Sequence, residues 1–234
     1  MGHRGARGHA PENTLAGMAK AHALGTRWVE FDVKLTADGA LILLHDDTVN
    51  RTTDGKGPAA AKSLAEIRAL DAGRWFSPDF AGERVPTLDE AMEFLARHDM
   101  GANVEIKPCP GREAETGAAV ARELVRWMSG PRPPFVSSFS EESLAAARAA
   151  APAIPRGFLT EDFPADWAAR CAALGCATFH PHHKPITREK ARSVREAGFR
   201  LLTYTVNEPA RCKALLSWGV ESVITDYPDR MSGA

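Results

Sequence analysis

Trp28-Val-Glu-Phe-Asp-Val-Lys-Leu-Thr-Ala-Asp-Gly-Ala-Leu-Ile-Leu-Leu-His45 holds two apolar runs around a turn signal. The first, Trp28–Val33, interleaves acids with bulky apolar residues and reads as a strand. Side chains two apart on a strand share a face, so Glu30 and Asp32 aim together. The second run, Leu41–Leu44, ends at His45. Between Asp32 and His45 there is no room for the crossover helix that a parallel neighbour requires. Asp38-Gly39 instead marks a hairpin turn. The chain folds back there, which returns His45 opposite Asp32. Leu41–Leu44 is then the return arm of an excursion, not a strand of the main sheet.

Outward from this stretch, apolar runs recur at Ala102–Lys107, Phe135–Phe139, Arg156–Leu159, Ala177–His180, Leu201–Val206 and Ser222–Thr225. Met1–Arg4 supplies a short first strand. Amphipathic stretches alternate with these runs: Thr14–Leu24, Leu88–Arg97, Glu113–Met128, Glu141–Ala150, Asp166–Leu174, Arg188–Ala197 and Pro209–Trp218, with Ser63–Leu70 inside the excursion. Such alternation predicts a parallel α/β fold. Without the hairpin arm, eight strands remain. That count predicts a (β/α)8 TIM barrel with a β-hairpin and loop excursion after strand 2, and a typical barrel has ~250 residues. A doubly wound open sheet is the alternative. No linker or composition break interrupts the 234 residues, so one domain over 1–234 is expected. Residues 48–86 exceed an ordinary loop and carry Trp75, Phe76 and Phe80; they read as a rim or lid, or as packing over the barrel mouth.

A formal net charge of −1 gives no global field for nucleic acid or an anionic membrane. No run approaches the ~18–20 apolar residues of a membrane span, so no stable membrane association is expected. With no signal-like apolar stretch at the start, the expected location is cytoplasmic. Cys109, Cys171, Cys176 and Cys212 form no C-x-x-C pair and read as free thiols. Assembly as a homo-oligomer stays open.

The polar clusters all fall at strand ends, where such barrels keep their chemistry. Glu30 and Asp32, crowded into an apolar strand, repel and desolvate each other unless a cation joins them. Glu105 and Lys107 repeat the spacing. The plainer readings are a surface-facing acid pair and an internal ion pair. Three oxygen donors with open positions suit Mg2+ or Ca2+ rather than zinc. His3 and His45 are the candidate proton-transfer pair. Asp46 either orients a histidine or caps a loop. Arg4, with its planar fork, and Lys107, as a point charge, suit phosphate oxygens. Asn13 reads as a helix N-cap, and Glu12 as a partner of Arg4. His180, at a strand end, is a candidate pocket residue; His182 and His183 read as loop histidines.

In order along the chain, His3-Arg4-Gly5, Pro11-Glu-Asn-Thr14, Glu30-Phe-Asp32, Thr36-Ala-Asp-Gly39, His45-Asp46, Arg51-Thr-Thr53, Glu105-Ile-Lys107, Ser137-Ser-Phe139, Tyr204-Thr-Val-Asn207 and Ile224-Thr-Asp226 resemble the motifs of the glycerophosphodiester phosphodiesterases. The later segments look most like the cytosolic bacterial branch linked to glycerol-3-phosphate uptake. The resemblance implies a TIM barrel that hydrolyses a small glycerophosphodiester substrate to sn-glycerol 3-phosphate and an alcohol. It implies a divalent metal on Glu30, Asp32 and Glu105, and His3 and His45 as acid and base. It implies Arg4 and Lys107 at the phosphate, and Phe139 and Tyr204 lining the glycerol pocket; relatives often carry Trp where Tyr204 stands. Attack by the glycerol 2-hydroxyl through a cyclic phosphate and direct attack by water are both open. A phospholipase D-like enzyme on lipids or lysolipids and a non-catalytic phosphodiester-binding barrel are the competing readings.

Overall fold

The hairpin about Asp38-Gly39 forms as expected in the computed structural model, which describes residues 1–231. β2 (Trp28–Leu35) runs into the turn and β3 (Leu41–Leu43) returns antiparallel to it. Gly39 sits at φ 81°, a left-handed conformation that glycine adopts without strain. Thr36 locks the turn, donating its hydroxyl to Asp38 at 2.6 Å and accepting from the Ala40 N–H at 2.9 Å. The pairing continues past β3: the Leu44 N–H donates to the Asp32 carbonyl at 3.1 Å, which holds His45 beside Asp32.

The other strands are β1 (Gly2–His3), β4 (Gly101–Ile106), β5 (Phe135–Ser138), β6 (Arg156–Thr160), β7 (Thr178–Pro181), β8 (Arg200–Thr203) and β9 (Ser222–Val223). With β2 they form one curled sheet of parallel neighbours in the order β1-β2-β4-β5-β6-β7-β8-β9, eight strands among the described residues. A parallel bridge from Gly2 to Thr225 brings first and last strands together. The two-residue β1 is therefore held on both sides, by Val29 and Glu30 of β2 and by bonds linking Met1 and His3 to the Thr225 backbone. This is the expected (β/α)8 architecture. The last three residues of the expected domain, 232–234, lie outside the described ones.

The helices on the outside are α1 (Leu15–Ala23), α3 (Leu88–Arg97), α4 (Glu113–Leu124), α5 (Glu141–Ala150), α6 (Trp167–Leu174), α7 (Arg188–Glu196) and α8 (Pro209–Ser217), with α2 (Leu64–Arg68) in the excursion. Local chemistry starts many of them. Thr14, Ser63, Thr87, Ser140 and Thr187 each accept a backbone N–H of the first turn, and Glu66 and Glu90 complete capping boxes. α4 ends earlier than expected, and Val125–Trp127 continues it as a tighter 3-10 turn.

Apolar residues on the outer faces of the strands meet the helices in two clusters. Phe31, Val104 and Val136 pack with Met18, Leu95 and Val120; Phe158, Phe179 and Leu201 pack with Trp167, Val194 and Leu215. Burying a Phe such as Phe31 or Phe179 contributes roughly 2–3 kcal/mol. The excursion has a small core of its own, built from Ile42, Leu44, Val49, Ala59, Ile67, Ala72 and Val85. It is a packed shoulder on the hairpin, and His45 leaves from its edge.

Candidate active site

In-register pairing of β2 with β4 sets Asp32 beside Glu105, with Glu30 two residues earlier on the same face. Oxygen atoms of Glu30, Asp32 and Glu105 all lie within 4.8 Å of one another. All three residues are buried. Burial and the neighbouring acids push Glu30 well above its ordinary value and Glu105 up to about 7. Burial works against Asp32 too, but Arg4, His45 and Lys107 bring it below the usual range. Glu30 Oε1 is buried without a hydrogen-bond partner. Such crowded, incompletely paired oxygens fit a hard divalent cation, which relieves desolvation and repulsion at once.

The two histidines have parallel settings. His3, from β1, has Nδ1 2.6 Å from Asp226 Oδ1. His45, past β3, has Nδ1 2.8 Å from Asp46 Oδ1. Each ring thus has one nitrogen taken by a carboxylate and Nε2 left for exchange. His3 Nε2 is 3.9 Å from Glu30 Oε2. Burial is the largest influence on both rings and lowers both from the ordinary histidine value. Of the two roles open to Asp46, the geometry selects orientation of His45. Asp226 was missing from the expected site residues, although it lies just past the last strand, β9, at the same end of the barrel. Asn207 fixes it, donating Nδ2 to Asp226 Oδ2 at 2.8 Å.

Arg4 turns inward with φ 48°, and Gly5 follows at φ 90°. A side chain at Gly5 would meet the Gly17 backbone at 2.6 Å, so the loop after β1 can press on α1 only with glycine there. Arg4 Nη1 donates to Glu12 Oε1 at 2.6 Å, and its Nε lies 3.2 Å from Asp32 Oδ2. Burial opposes the Glu12 charge, yet Arg51 and Arg4 draw its pKa down to about 2. Lys107 Nζ donates to Glu105 Oε1 at 2.9 Å and lies 5.1 Å from the Phe139 ring centroid. Phe139 and Tyr204 stand just past β5 and β8, edge to face at 5.8 Å. Tyr204 donates its hydroxyl to the Thr160 carbonyl at 2.9 Å. All ten expected site residues therefore gather at or just behind one mouth of the barrel.

Two expectations are corrected. Asn13 is not the N-cap of α1; Thr14 is, accepting from the Gly17 N–H. Asn13, at φ 56°, grips Asp32 instead: Nδ2 donates to Oδ2 at 2.9 Å, and Oδ1 accepts from the Asp32 N–H at 3.2 Å. The left-handed backbone aims its amide inward, and the neighbouring threonine takes the cap. His180 is not at the mouth. It is fully buried, 2.8 Å from Thr178 Oγ1 and edge-on to Phe135, both first residues of their strands. Its ring faces down the barrel, and burial lowers its pKa to about 3. All four cysteines are buried and free.

Three clustered carboxylates, two aspartate-held imidazoles and two cations at the C-terminal mouth of a (β/α)8 barrel define a site for phosphate-ester chemistry. A family model described as the glycerophosphoryl diester phosphodiesterase family matches residues 3–230. A glycerophosphodiester phosphodiesterase of Bacillus subtilis is 34% identical over 247 residues, covering 98% of this chain and 83% of the relative. Another, from Caldanaerobacter subterraneus, is 33% identical over 235 residues, covering 99% and 95%. The solved structure of an Oleispira antarctica phosphodiesterase in complex with its product sn-glycerol-3-phosphate superposes with a TM-score of 0.95 at 38% identity, covering 99% of this chain and 94% of that one. The chain belongs to the glycerophosphoryl diester phosphodiesterase family.

Proposed function

We propose that this protein hydrolyses glycerophosphodiesters to sn-glycerol 3-phosphate and an alcohol, using a divalent cation and two histidines. The observation that carries the reading is the buried triad of Glu30, Asp32 and Glu105 flanked by two imidazoles, each held at Nδ1 by a carboxylate. The product-bound Oleispira antarctica relative supports the substrate class.

Glu30, Asp32 and Glu105 would hold Mg2+ or Ca2+, which when bound polarises a phosphate oxygen and offsets its charge. Asn13 orients Asp32 for that task. Arg4 and Lys107 hold the remaining phosphate oxygens. One histidine takes a proton at Nε2 from the attacking hydroxyl, and the other gives one from Nε2 to the leaving oxygen. The nucleophile is either a water molecule attacking directly or the glycerol 2-hydroxyl, adjacent to the ester and so at high effective molarity; in the second case water then opens the cyclic phosphate at the 2-oxygen, with the two histidines exchanging roles. Phe139 and Tyr204 line the glycerol moiety, and Glu12 holds Arg4 from behind.

The reading includes a single domain and a cytoplasmic location. The continuous sheet supports the first, and the four free, buried cysteines are in keeping with the second. No helix among the described residues is long and apolar enough to cross a membrane.

The deciding assay incubates the protein with glycerophosphocholine and glycerophosphoethanolamine, in Mg2+, in Ca2+ and in EDTA, and measures glycerol 3-phosphate. Release in a divalent metal and its loss in EDTA are expected. No release with either metal overturns the proposal.

A further inference from the structure

Arg51 joins two loops that the sheet leaves unconnected. Its Nε and Nη2 donate to Asp46 Oδ2 and Oδ1 at 2.8 and 2.9 Å. Its Nη1 and Nη2 donate to Glu12 Oε2 and Oε1 at 2.9 and 2.8 Å. One planar guanidinium therefore grips two carboxylates at once, each through both oxygens. Asp46 lies on the excursion and holds the His45 ring. Glu12 lies on the loop after β1, is buried, and also takes Arg4 Nη1 and Arg7 Nε. Arg51 thus sits where the path from His45 meets the path from Arg4.

The residue type follows from the task. Two adjacent edges of a guanidinium present fixed pairs of donors, and each pair matches a carboxylate; an ammonium cannot satisfy both in one plane. On the Asp46 side the two side chains are 40% and 30% exposed, so that ion pair by itself adds little to stability. What the four bonds do is hold geometry.

We propose that Arg51 is a positioning residue for the reaction. Through Asp46 it fixes the His45 imidazole, and through Glu12 it fixes the Arg4 guanidinium, so the proton-transfer group and the phosphate-holding group keep one separation. The proposal rests on the phosphodiesterase reading of the site and adds to it a residue that does not touch substrate.

The test compares wild type with Arg51→Lys and Arg51→Ala on glycerophosphocholine in a divalent metal. In both variants kcat falls about 30-fold while KM moves less than about threefold, because the loss falls on the reacting geometry. Methylguanidinium restores turnover to Arg51→Ala saturably and does nothing for Arg51→Lys, which keeps the charge but fills the space. Amide exchange across residues 45–51 quickens about tenfold in both variants, while the barrel strands are unchanged. Wild-type kcat in Arg51→Lys, or unaltered exchange across 45–51, overturns the proposal. A wild-type protein that releases no glycerol 3-phosphate defeats the activity reading separately; the exchange measurement needs no turnover and still decides whether Arg51 clasps the loop.

Discussion

His3 Nδ1 and Asp226 Oδ1 lie 2.6 Å apart, though 223 positions separate them in the chain. Only closure of the barrel brings them together: the Gly2–Thr225 bridge sets the first strand beside the last. The carboxylate fixes the ring and leaves Nε2 toward the site. Asp226→Asn keeps the shape but weakens the hold on the tautomer. It should lower kcat about 100-fold with little change in thermal midpoint, a loss in the range of acid–base contributions. Steady-state kinetics beside a melting curve check this, and undiminished kcat would remove Asp226 from the proposed mechanism.

His45→Ala should cost about 10²–10⁴ in kcat and leave metal binding near the wild-type level, since His45 is not one of the clustered carboxylates. Calorimetric titration with Ca2+ or Mg2+ separates the two effects. Burial lowers His45 from 6.5, so its neutral form persists at pH 7 and is lost only further into acid. The acid limb of kcat/KM should accordingly fall below pH 6.5. A limb above that value argues against His45 as the base.

Glu105 leads to a stability prediction. In the metal-free protein it keeps its proton up to about 7, against 4.5 when unfolded. Between those values the native state binds more protons than the unfolded state, so stability falls as pH rises through the window. A cation on the three carboxylates removes the effect. Adding Ca2+ or Mg2+ to EDTA-treated protein should therefore raise the melting temperature more at about pH 7.5 than at about pH 5. Melting temperatures indifferent to both pH and metal would count against the metal site.

Lys34 is fully buried, with Nζ 3.1 Å from Asp47 Oδ1, while the Asp47 side chain is 57% exposed. The two ends of this pair are unequal. Asp47→Ala strands a buried ammonium and should cost about 3 kcal/mol. Lys34→Met leaves a carboxylate that water can hydrate and should cost under about 1.5 kcal/mol. Urea unfolding of both variants measures the difference, and equal costs would contradict the asymmetry.

Much of this site was readable along the chain because its signals are local. Glu30 and Asp32 share a face by strand alternation alone, and Asp38-Gly39 dictates that His45 comes back beside them. Glu105 and Lys107 stand at the end of their strand for the same reason. The misreadings fall where one residue type serves two purposes. Asn13 ahead of a helix looks like a cap; only its left-handed backbone shows that the amide points to Asp32. His180 looks like a strand-end residue, but β7 runs on to Pro181 and the ring turns down the barrel.

From sequence alone came the strand count, the hairpin, the family resemblance and the set of side chains at one barrel mouth, because period, turn chemistry and motif order are properties of neighbouring residues. Tertiary structure decided the pairings: Asp226 on His3, Arg51 across Asp46 and Glu12, Asn13 on Asp32. These contacts join distant segments at hydrogen-bond distance. Barrel closure and loop packing set such distances, and no local pattern encodes them.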